Sequence, residues 1–303
     1  MAIRFDGKVA VVTGAGAGLG RTYALELARR GAKVVVNDLG GSTSGEGQSL
    51  QAADAVVAEI TAAGGVAVPN YNSVEQGDKI IETALKAFGR VDILINNAGV
   101  LRDKSFAKMT EQDWNTVMNV HLLGTYRVTK AAWPHMIKQG YGRIINTSSG
   151  AALYGNFGQT NYSTAKAAVI SFTRSLAKEG ERKNVLVNVI APMAFSRLTA
   201  TVLTADSMAL YPAEKVSPIV LYLANEECKE AGSVIEVGGG MVTAWRLQRS
   251  KGAFYLAGYT AEELERDWSK VMDYSQWDVP TGPTHIIGNV LEVREKLAAQ
   301  PKL

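Results

Sequence analysis

Short runs of β-branched and other apolar residues recur along the first 240 positions, and they alternate with segments in which apolar residues return every three to four positions. The short runs are typical of buried strands and the longer segments of helices. Strands that alternate with helices at this spacing form parallel sheets. The pattern therefore predicts an α/β fold, a doubly wound parallel sheet of seven strands with helices on both faces. The strands are predicted at KVAVVTG, KVVVND, VAVPNY, VDILINNAG, GRIINTSS, NVLVNVIAP and SVIEVGGG.

Two long helices are predicted at Glu111–Gln139 and Asn161–Gly180. Thr110 and Asp113 have the spacing of a capping box, so the first helix is predicted to start there. Both helices carry apolar residues on more than one side. Since a helix that is apolar beyond one stripe needs a second partner, we expect these helices to pair in a homodimer.

The organisation of the chain changes toward the C-terminus. Residues 1–240 contain the alternating strands and helices and are predicted to form one Rossmann-like domain. Residues 241–303 are predicted to be an extension that packs on this domain. Within the domain, Met193–Glu214 has few periodic signals, which is typical of a flexible flap over a substrate.

Composition restricts the class of protein. Of the 303 residues, 47% are hydrophobic and 20% are charged, as expected for a globular protein. A net charge of +3, without a basic run interleaved with aromatic residues, argues against a nucleic-acid binder. No signal peptide and no bilayer-spanning apolar stretch is visible, so no membrane partner is expected. The single cysteine, Cys228, excludes an intrachain disulfide and a cysteine metal cluster, and no metal is predicted.

A glycine-rich turn follows the first strand. Gly14, Gly18 and Gly20 lie in TGAGAGLG, where they let the backbone approach a pyrophosphate at a helix N-terminus. Asp38 ends the next strand, and a carboxylate there accepts hydrogen bonds from both ribose hydroxyls and repels a 2′-phosphate. Together they predict a nucleotide site that prefers NAD to NADP. The alternative interpretation of Asp38 is structural, because aspartate is common at the start of a loop.

The fourth predicted strand ends in small and polar residues, Asn97, Ala98 and Gly99. Doubly wound sheets bind their ligands at the carboxyl ends of the strands. We therefore expect these three residues at the nucleotide site.

A possible proton-transfer set follows the fifth strand. Tyr162 and Lys166 are four apart, which on a helix places them on one face in adjacent turns. A free phenol has a pKa of roughly 10, and a cation one turn away is expected to lower the pKa toward that of a general base. Ser149 lies at the end of GRIINTSS, where its hydroxyl can hydrogen-bond a substrate oxygen. Tyr and Lys four apart are also a frequent coincidence, and the nucleotide-binding turn upstream favours the catalytic interpretation.

TGAGAGLG, NNAG, the serine and YSTAK resemble the short-chain dehydrogenase/reductase family in order and spacing, from about residue 5 to residue 240. The N-terminal stretch, YGNFGQTNYS and the tail segment WSKVMDYSQWDVPTGPTH are similar to the (3R)-hydroxyacyl-CoA dehydrogenases of multifunctional peroxisomal enzymes. The hydratase and sterol-carrier parts of such enzymes are absent from the sequence. A stand-alone enzyme and a fragment therefore remain as alternatives.

The resemblance implies a role for each matching residue. Tyr162 would be the acid/base, Lys166 would lower its pKa and hold the nicotinamide ribose, and Ser149 would orient the reacting oxygen. His121 stands where the family has a helix asparagine that anchors a proton-relay water, with Asn119 two residues earlier, and its main-chain carbonyl would serve the relay. The implied contacts of the cofactor NAD are Gly14, Gly18, Leu19, Gly20, Asp38, Asn72, Ser73, Asn97, Ala98, Gly99, Tyr162, Lys166 and Pro192.

Two positions depart from the family pattern. Met193 stands where many members have a glycine after Pro192, and Asn72 stands where an aspartate often contacts the adenine. Both departures concern the edges of the cofactor site and leave the reacting groups unchanged.

The activity that the resemblance implies is NAD-dependent oxidation of (3R)-3-hydroxyacyl-CoA to 3-ketoacyl-CoA in fatty-acid β-oxidation, with an acyl-CoA as substrate. The enzymatic alternatives are an NADP-dependent ketoacyl reductase and an alcohol or steroid dehydrogenase, and the non-enzymatic alternative is a nucleotide-binding regulator. Pro301, Lys302 and Leu303 are a variant of the Ser-Lys-Leu tripeptide that peroxisomal import receptors bind. We therefore expect a peroxisomal protein, or a cytoplasmic one if no receptor binds the tripeptide.

Overall fold

The computed structural model describes residues 2–47, 49–194, 209–280 and 282–298. Contacts within the chain divide it into two compact units, Met1–Ala244 and Trp245–Leu303. Most of the predicted flap and the predicted targeting residues Pro301, Lys302 and Leu303 lie outside the described residues. The predicted packing of the C-terminal extension on the first domain stays a prediction.

The first unit is built on one sheet of eight strands. The strands are β1 Val9–Thr13, β2 Lys33–Asn37, β3 Val66–Asn70, β4 Ile93–Asn96, β5 Gly142–Thr147, β6 Val185–Met193, β7 Val234–Gly238 and β8 Met241–Trp245. Their order in the sheet is β3-β2-β1-β4-β5-β6-β7-β8, and each neighbouring pair from β3 to β7 is parallel. From β1 the chain adds strands toward one edge of the sheet, to β2 and β3, and from β4 onward it adds them toward the other edge, so the strand order reverses between β1 and β4. The predicted doubly wound, seven-stranded parallel sheet is thereby confirmed, with one strand added.

The added strand, β8, follows β7 after only two residues, Gly239 and Gly240. Both glycines have positive φ, +60° and +96°, which is the conformation that a two-residue hairpin turn requires. Because parallel neighbours need a long crossover connection, this short turn makes β8 antiparallel to β7. The sequence analysis counted Gly239 and Gly240 as the end of the seventh strand, SVIEVGGG, and so missed the hairpin.

Helices cover both faces of the sheet because successive residues of each strand point to opposite sides. In β1, Ala10 and Val12 belong to one core and Val9 and Val11 to the other. The helices that the structure describes in this unit are α1 Gly18–Arg29, α2 Gln51–Ala62, α3 Gly77–Phe88, α4 Glu111–Met118, α5 Thr125–Gln139, α6 Gly150–Tyr154, α7 Thr160–Gly180 and α8 Ser217–Ala224. The first core also contains residues of α1, α2 and α8, and the second contains residues of α3, α5 and α7.

The first predicted long helix is interrupted. It begins with the predicted capping box, in which Thr110 and Asp113 each bond the other's backbone N–H. A π-helical segment, Asn119–Gly124, then separates α4 from α5. The sequence analysis interpreted the whole stretch as one continuous helix and so missed the interruption. The second long helix, α7, has nearly the predicted bounds.

The second unit contains two helices and a short antiparallel pair of strands. Asp278 joins these elements, since its carboxylate accepts hydrogen bonds from Arg249 (3.1 and 2.9 Å) and from Asn289 (2.9 Å). These bonds hold the pKa of Asp278 at about 2, with Arg249 the largest cause. In the described part of the chain, no helix is both long and apolar enough to cross a membrane. The elements are β9 Arg249–Ser250, α9 Ala261–Val271, β10 Trp277–Asp278 and α10 His285–Ala298.

Candidate active site

A cleft opens at the carboxyl ends of β1, β2 and β4, at the point where the direction of the sheet reverses. This is where open α/β sheets bind their ligands. Many of the residues that the sequence analysis assigned to the cofactor line this cleft: Gly14, Gly18, Leu19, Asp38, Asn72, Ser73, Asn97, Ala98 and Gly99.

The glycine-rich turn forms the floor of the cleft because backbone and side chains approach it closely. A Cβ atom on Gly14, whose φ is +63°, would lie 2.8 Å from the Cα of Ala98. A Cβ atom on Gly16 would lie 2.7 Å from Oδ2 of Asp38. Side chains are thus excluded from the surface on which a pyrophosphate would rest at the start of α1. The turn fits a dinucleotide.

The end of β4 is attached to the end of β1 by hydrogen bonds from one threonine and one asparagine. The Thr13 hydroxyl is buried and accepts the backbone N–H groups of Asn97 (3.0 Å) and Ala98 (3.1 Å). The side-chain amide of Asn97 donates to the carbonyls of Thr13 (3.0 Å) and Gly14 (3.1 Å). Asn97 therefore supports the wall of the cleft, with its amide directed into the protein.

Asp38 ends β2 and bridges two loops beside the cleft. Its Oδ2 accepts the N–H of Gly16 at 2.7 Å, and its Oδ1 accepts the N–H of Gly40 at 2.7 Å. Because each carboxylate oxygen has two lone pairs, both oxygens keep capacity for further donors. The structural role that the sequence analysis gave as an alternative is thus present, and it fixes the carboxylate in place beside the cleft.

The third strand ends at the same edge of the cleft. The Asn37 amide donates to Oδ1 of Asn70 (2.8 Å) and to the carbonyl of Asn72 (2.8 Å). The hydroxyl of Ser73 accepts the N–H of Glu75 at 3.2 Å and caps a short helical turn. Asn72 and Ser73 therefore lie at fixed positions in the cleft wall.

The candidate acid/base residues lie together at the start of α7 and the end of β5. Lys166 is buried, and its ammonium donates to the carbonyl of Thr147 at 2.6 Å. The Ser148 hydroxyl donates to the carbonyl of Lys166 at 2.9 Å, so strand and helix are joined twice at this level. The Nζ atom of Lys166 lies 5.8 Å from the centroid of the Tyr162 ring. Ser149 starts α6, where its Oγ accepts the N–H of Ala151, and it is hydrogen-bonded to Tyr162.

Burial controls the ionisation of this group. The pKa of Tyr162 is raised, mainly by burial and to a smaller extent by the charge of Asp103, while the hydrogen bond from Ser149 acts to lower it. Burial also lowers the pKa of Lys166 to about 7. The sequence analysis expected Lys166 to bring the pKa of Tyr162 below its ordinary value. The groups of the protein itself raise this pKa instead, so the expectation is wrong for them. Desolvation acts on both side chains, and a lysine with a pKa near 7 carries only part of its charge at neutral pH.

His121 lies in the π-helical segment and contacts both parts of the site. Its ring packs edge-on against Tyr162, with centroids 5.1 Å apart. Its Nε2 lies 2.7 Å from the carbonyl and 3.1 Å from the N–H of Val100, while Nδ1 has no hydrogen-bond partner among the described residues. Burial, followed by the charge of Lys166, lowers the pKa of His121 well below its ordinary value. The ring is therefore neutral, and it lies between the cleft wall at Gly99 and Val100 and the ring of Tyr162.

Comparison with known proteins agrees with this geometry. A model of the short chain dehydrogenase family matches residues 8–207. The chain belongs to the short-chain dehydrogenase family. It is 54% identical over 298 residues to the peroxisomal hydratase-dehydrogenase-epimerase of Neurospora crassa, covering 97% of this chain and 33% of that protein. It is 46% identical over 271 residues to a putative short-chain type dehydrogenase/reductase of Mycobacterium tuberculosis, covering 88% of this chain and 95% of that protein.

A solved structure also shows likeness to part of a longer, multifunctional enzyme. The full-length peroxisomal multifunctional enzyme type 2 from Drosophila melanogaster superposes with a TM-score of 0.83 at 45% identity, covering 97% of this chain and 51% of that one. The chain thus spans about a third of the length of the Neurospora protein and about half of the Drosophila chain. As a short-chain dehydrogenase, this chain uses a nicotinamide cofactor, and the cleft is the candidate site for it.

Some predicted residues lie outside the cleft lining. Gly20 packs beneath the turn, beside the Asn97 amide, and Pro192 lies partly buried near the end of β6. Tyr162 and Lys166 are not among the residues that line the cleft, and His121 contacts both Tyr162 and Val100. The cofactor contacts assigned to these four residues, and to those that line the cleft, stay predictions. In the part of the chain that the structure describes, no group of three or more His, Cys, Asp or Glu is placed to hold a metal.

The sequence analysis missed residues that hold the site in position. Thr13 is one, and Asn161 is another, since its buried amide donates to the carbonyls of Arg102 (3.1 Å) and Asp113 (3.3 Å) while its Oδ1 accepts the N–H of Tyr162 (2.8 Å). The available signal was a polar residue inside an otherwise apolar strand or beside the candidate tyrosine, Tyr162. Buried polar groups of this kind are almost always hydrogen-bonded.

Proposed function

We propose that this protein oxidises (3R)-3-hydroxyacyl-CoA thioesters to 3-ketoacyl-CoA with NAD. The observation that carries the proposal is the joint placement of Ser149, Tyr162 and Lys166 beside a dinucleotide cleft with a fixed carboxylate, Asp38. The substrate class is supported by the likeness of the sequence to (3R)-hydroxyacyl-CoA dehydrogenases and by the multifunctional peroxisomal enzymes among its relatives.

The protein residues would divide the work on the substrate hydroxyl. Tyr162 accepts the hydroxyl proton as general base, and Ser149 donates a hydrogen bond to the same oxygen as it becomes a carbonyl. A nicotinamide cofactor, when bound, accepts the hydride from the carbon that carries the hydroxyl. Lys166, in its protonated fraction, supplies positive charge beside Tyr162, and the main-chain carbonyl of His121 serves the proton relay in place of the asparagine of other family members.

NAD, rather than NADP, is the cofactor that we propose. Asp38 is fixed by two backbone N–H groups at the end of β2, so its negative charge cannot move away from the ribose position. A 2′-phosphate at that position would meet the carboxylate at close range. NAD carries hydroxyls there, which donate to the remaining lone pairs.

The test is turnover with a matched panel of thioesters. The purified chain should form NADH, followed at 340 nm, from (3R)-3-hydroxyacyl-CoA and not from the (3S) isomer, and NAD should be preferred to NADP. The panel should run from short to long acyl chains, with simple alcohols and a hydroxysteroid beside them. Tyr162→Phe is the control for background oxidation. A preference for the (3S) isomer, for alcohols or steroids, or for NADP in the reductive direction would overturn the proposal.

We also propose a homodimer through the π-helical segment, α5 and α7. Leu123 and Tyr126 are 37% and 45% exposed on this surface, and the Tyr126 ring packs edge-on against Phe172 of α7 at 6.4 Å. A second copy would cover this aromatic and aliphatic surface. Light scattering at micromolar concentration should give the mass of a dimer, and Tyr126→Glu should give a monomer with unchanged secondary structure. A monomeric wild-type chain would contradict the proposal.

Peroxisomal localisation is the last part of the proposed function. It is supported by the proposed place in β-oxidation and by the peroxisomal relatives. A fluorescent protein fused to the N-terminus of the chain should form puncta that coincide with a peroxisomal marker, through an import receptor. Diffuse cytosolic fluorescence, equal to that of a variant lacking the last three residues, would argue against it.

A further inference from the structure

The chain that follows β2 forms a compact loop, residues 39–47, which we call the β2 loop. Just beyond it, the N–H of Ser49 donates to the carbonyl of Leu39 at 3.1 Å, so the two ends of the segment meet. Inside the loop, the N–H of Ser42 donates to the carbonyl of Glu46 at 2.8 Å. Adjacent ends and internal bonds are the features of an Ω-loop, a form of surface loop that is frequently functional.

The β2 loop forms part of the rim of the cofactor cleft. Ser42, Thr43 and Gly45 line the cleft and are also exposed to solvent. The loop begins beside Asp38, whose Oδ1 accepts the N–H of Gly40 at 2.7 Å. A dinucleotide whose ribose lies at Asp38 would therefore lie next to this loop.

The loop is attached to the residues that follow β4. The N–H of Leu101 donates to the carbonyl of Thr43 at 2.9 Å, and Nε of Arg102 donates to the carbonyl of Ser44 at 3.0 Å. Nη2 of Arg102 also lies 3.3 Å from Oε1 of Glu46. The Arg102 side chain is only 16% exposed, whereas that of Glu46 is 73% exposed, so solvent screens this ion pair. The bond to the Ser44 carbonyl is consequently the stronger attachment that Arg102 makes to the loop.

Arg102 is itself fixed to the helices of the candidate active site. Its Nη1 lies 3.6 Å from Oδ1 of Asp113, which is buried at the start of α4. Its carbonyl accepts from the amide of Asn161 at 3.1 Å, and Oδ1 of Asn161 accepts the N–H of Tyr162 at 2.8 Å. Arg102 thus joins the exposed β2 loop to α4 and α7.

The β2 loop also packs against the cleft wall at Gly45. A Cβ atom on Gly45 would lie 3.2 Å from Cγ1 of Val100, and the φ of Gly45 is +84°. Any larger residue would be strained at this φ and would press on Val100. The loop therefore lies directly against the wall at this point.

We propose that Arg102 is a positioning residue that holds the β2 loop against the cleft wall and so limits the rate at which a dinucleotide enters and leaves. The inference rests on the proposed function in one respect, that a nicotinamide dinucleotide binds in this cleft. Opening the loop requires the bonds to Thr43 and Ser44 to break while the rest of the domain stays folded. Loops that move in ligand binding are attached by few bonds in this way.

The experiment compares Arg102→Gln with the wild-type chain. Glutamine lacks the charge and the Nε donor of arginine, so the bond to Ser44 is lost. Asp113 keeps its bonds from Lys104 (2.8 Å) and Thr110 (2.7 Å), so its buried carboxylate stays compensated and the variant should fold. Arg102→Lys is the conservative variant, which keeps the charge and one donor group.

Two further variants separate the loop attachment from a general loss of charge. Arg29→Gln is the matched control, because it removes a guanidinium that is 63% exposed and paired with Glu26 on α1. Gly45→Ala changes no charge and adds the methyl group that would press on Val100. It should open the loop by a route independent of Arg102.

Two readouts are needed. The first is hydrogen exchange at the N–H of Leu101 in the cofactor-free protein, since this N–H bonds Thr43 across the closed loop. Urea unfolding of each variant checks that faster exchange reports local opening. The second is stopped-flow binding and release of NADH and of NADPH, which gives kon and koff. Exchange needs no ligand, so it still decides whether Arg102 holds the loop if neither dinucleotide binds and the proposed function fails.

With Arg102→Gln, exchange at Leu101 and koff should both become about tenfold faster, the effect of one hydrogen bond to a charged group. The kon should rise as well, because entry uses the same opening, so Kd should change less than koff. Arg102→Lys should lie between the two proteins, and Gly45→Ala should change both rates in the same direction as Arg102→Gln. Arg29→Gln should stay within about twofold of the wild type, as expected for an exposed ion pair.

Two results would overturn the inference. One is wild-type exchange at Leu101 in Arg102→Gln, which would show that Arg102 does not hold the loop closed. The other is a faster koff with kon unchanged, which would show that Arg102 contributes to affinity without controlling access to the cleft.

Discussion

Thr13→Val is the sharpest test of how this site is built. Valine has the shape of threonine without the hydroxyl, so packing inside β1 is preserved. The hydroxyl that is lost accepts the N–H groups of both Asn97 and Ala98. Since Thr13 is 1% exposed, water has little access to replace it.

The expected cost follows from these two bonds. A buried donor left without an acceptor costs about 1–3 kcal/mol, and the two donors share one acceptor, so we expect the free energy of unfolding to fall by about 2–4 kcal/mol. The weak donation from the Thr13 hydroxyl to the carbonyl of Ile95, at 3.4 Å, adds little. The end of β4 should also shift, and because Asn97 and Ala98 line the cleft, NAD binding should weaken.

Urea unfolding gives the stability and quenching of intrinsic fluorescence gives the affinity for NAD. Thr13→Ser is the control, because it keeps the hydroxyl and loses only one methyl group, at a cost of about 1 kcal/mol. The reasoning is refuted if Thr13→Val unfolds within about 0.5 kcal/mol of the wild type, or if Thr13→Ser binds NAD as weakly as Thr13→Val.

Three further predictions concern the reacting groups and the cofactor. Tyr162→Phe should lower turnover at least about a hundredfold while leaving the affinity for NAD nearly unchanged; steady-state kinetics and a binding titration check this, and near-wild-type turnover would exclude the proposed base. Asp38→Asn should weaken NAD binding and narrow the preference over NADP, as measured from kcat/KM with each cofactor; a wild-type preference for NADP would already contradict the assignment. His121→Asn should keep turnover within about tenfold, because the proposed relay uses the main chain. The free energy of unfolding of His121→Asn should also fall less steeply than that of the wild type below about pH 6.5, because the unfolded wild-type chain binds a proton at His121 that the buried native ring does not. Urea unfolding of both proteins at pH 5.5 and 7.5 measures this. An equal loss of stability in the two proteins between these pH values would refute the buried neutral ring.

The fold was predictable because its signals are local and repeated. Each of the first seven strands is a short apolar run bounded by turn residues, and the parallel order follows from the helices between them. The hairpin to β8 was missed because it depends on the φ angles of Gly239 and Gly240, and the sequence does not show these angles directly. The π-helical segment was missed because it is a local change in main-chain hydrogen bonding, from i→i+4 to i→i+5, inside a stretch that is otherwise helical.

The candidate site was predictable only in part. Gly14, Asp38 and Asn97 were found because chain-local motifs place them at strand ends. The direction of the pKa shift of Tyr162 was not, because it depends on burial, which is set by residues far away in the sequence. Spacing on one helix identifies Lys166 as a neighbour of Tyr162, but spacing does not show that the lysine is itself desolvated.

The structure also relates the two halves of the site in a way that no single motif does. His121 lies between them, with its ring against Tyr162 and its Nε2 at the peptide of Val100. Gly99 lies close to the His121 ring, because a Cβ atom on Gly99 would lie 2.5 Å from Cε1 of the imidazole. One buried, neutral side chain is therefore packed against both the cleft wall and Tyr162, the proposed general base. An asparagine at this position is too short to make the ring contact, so this link between the two parts of the site depends on the histidine.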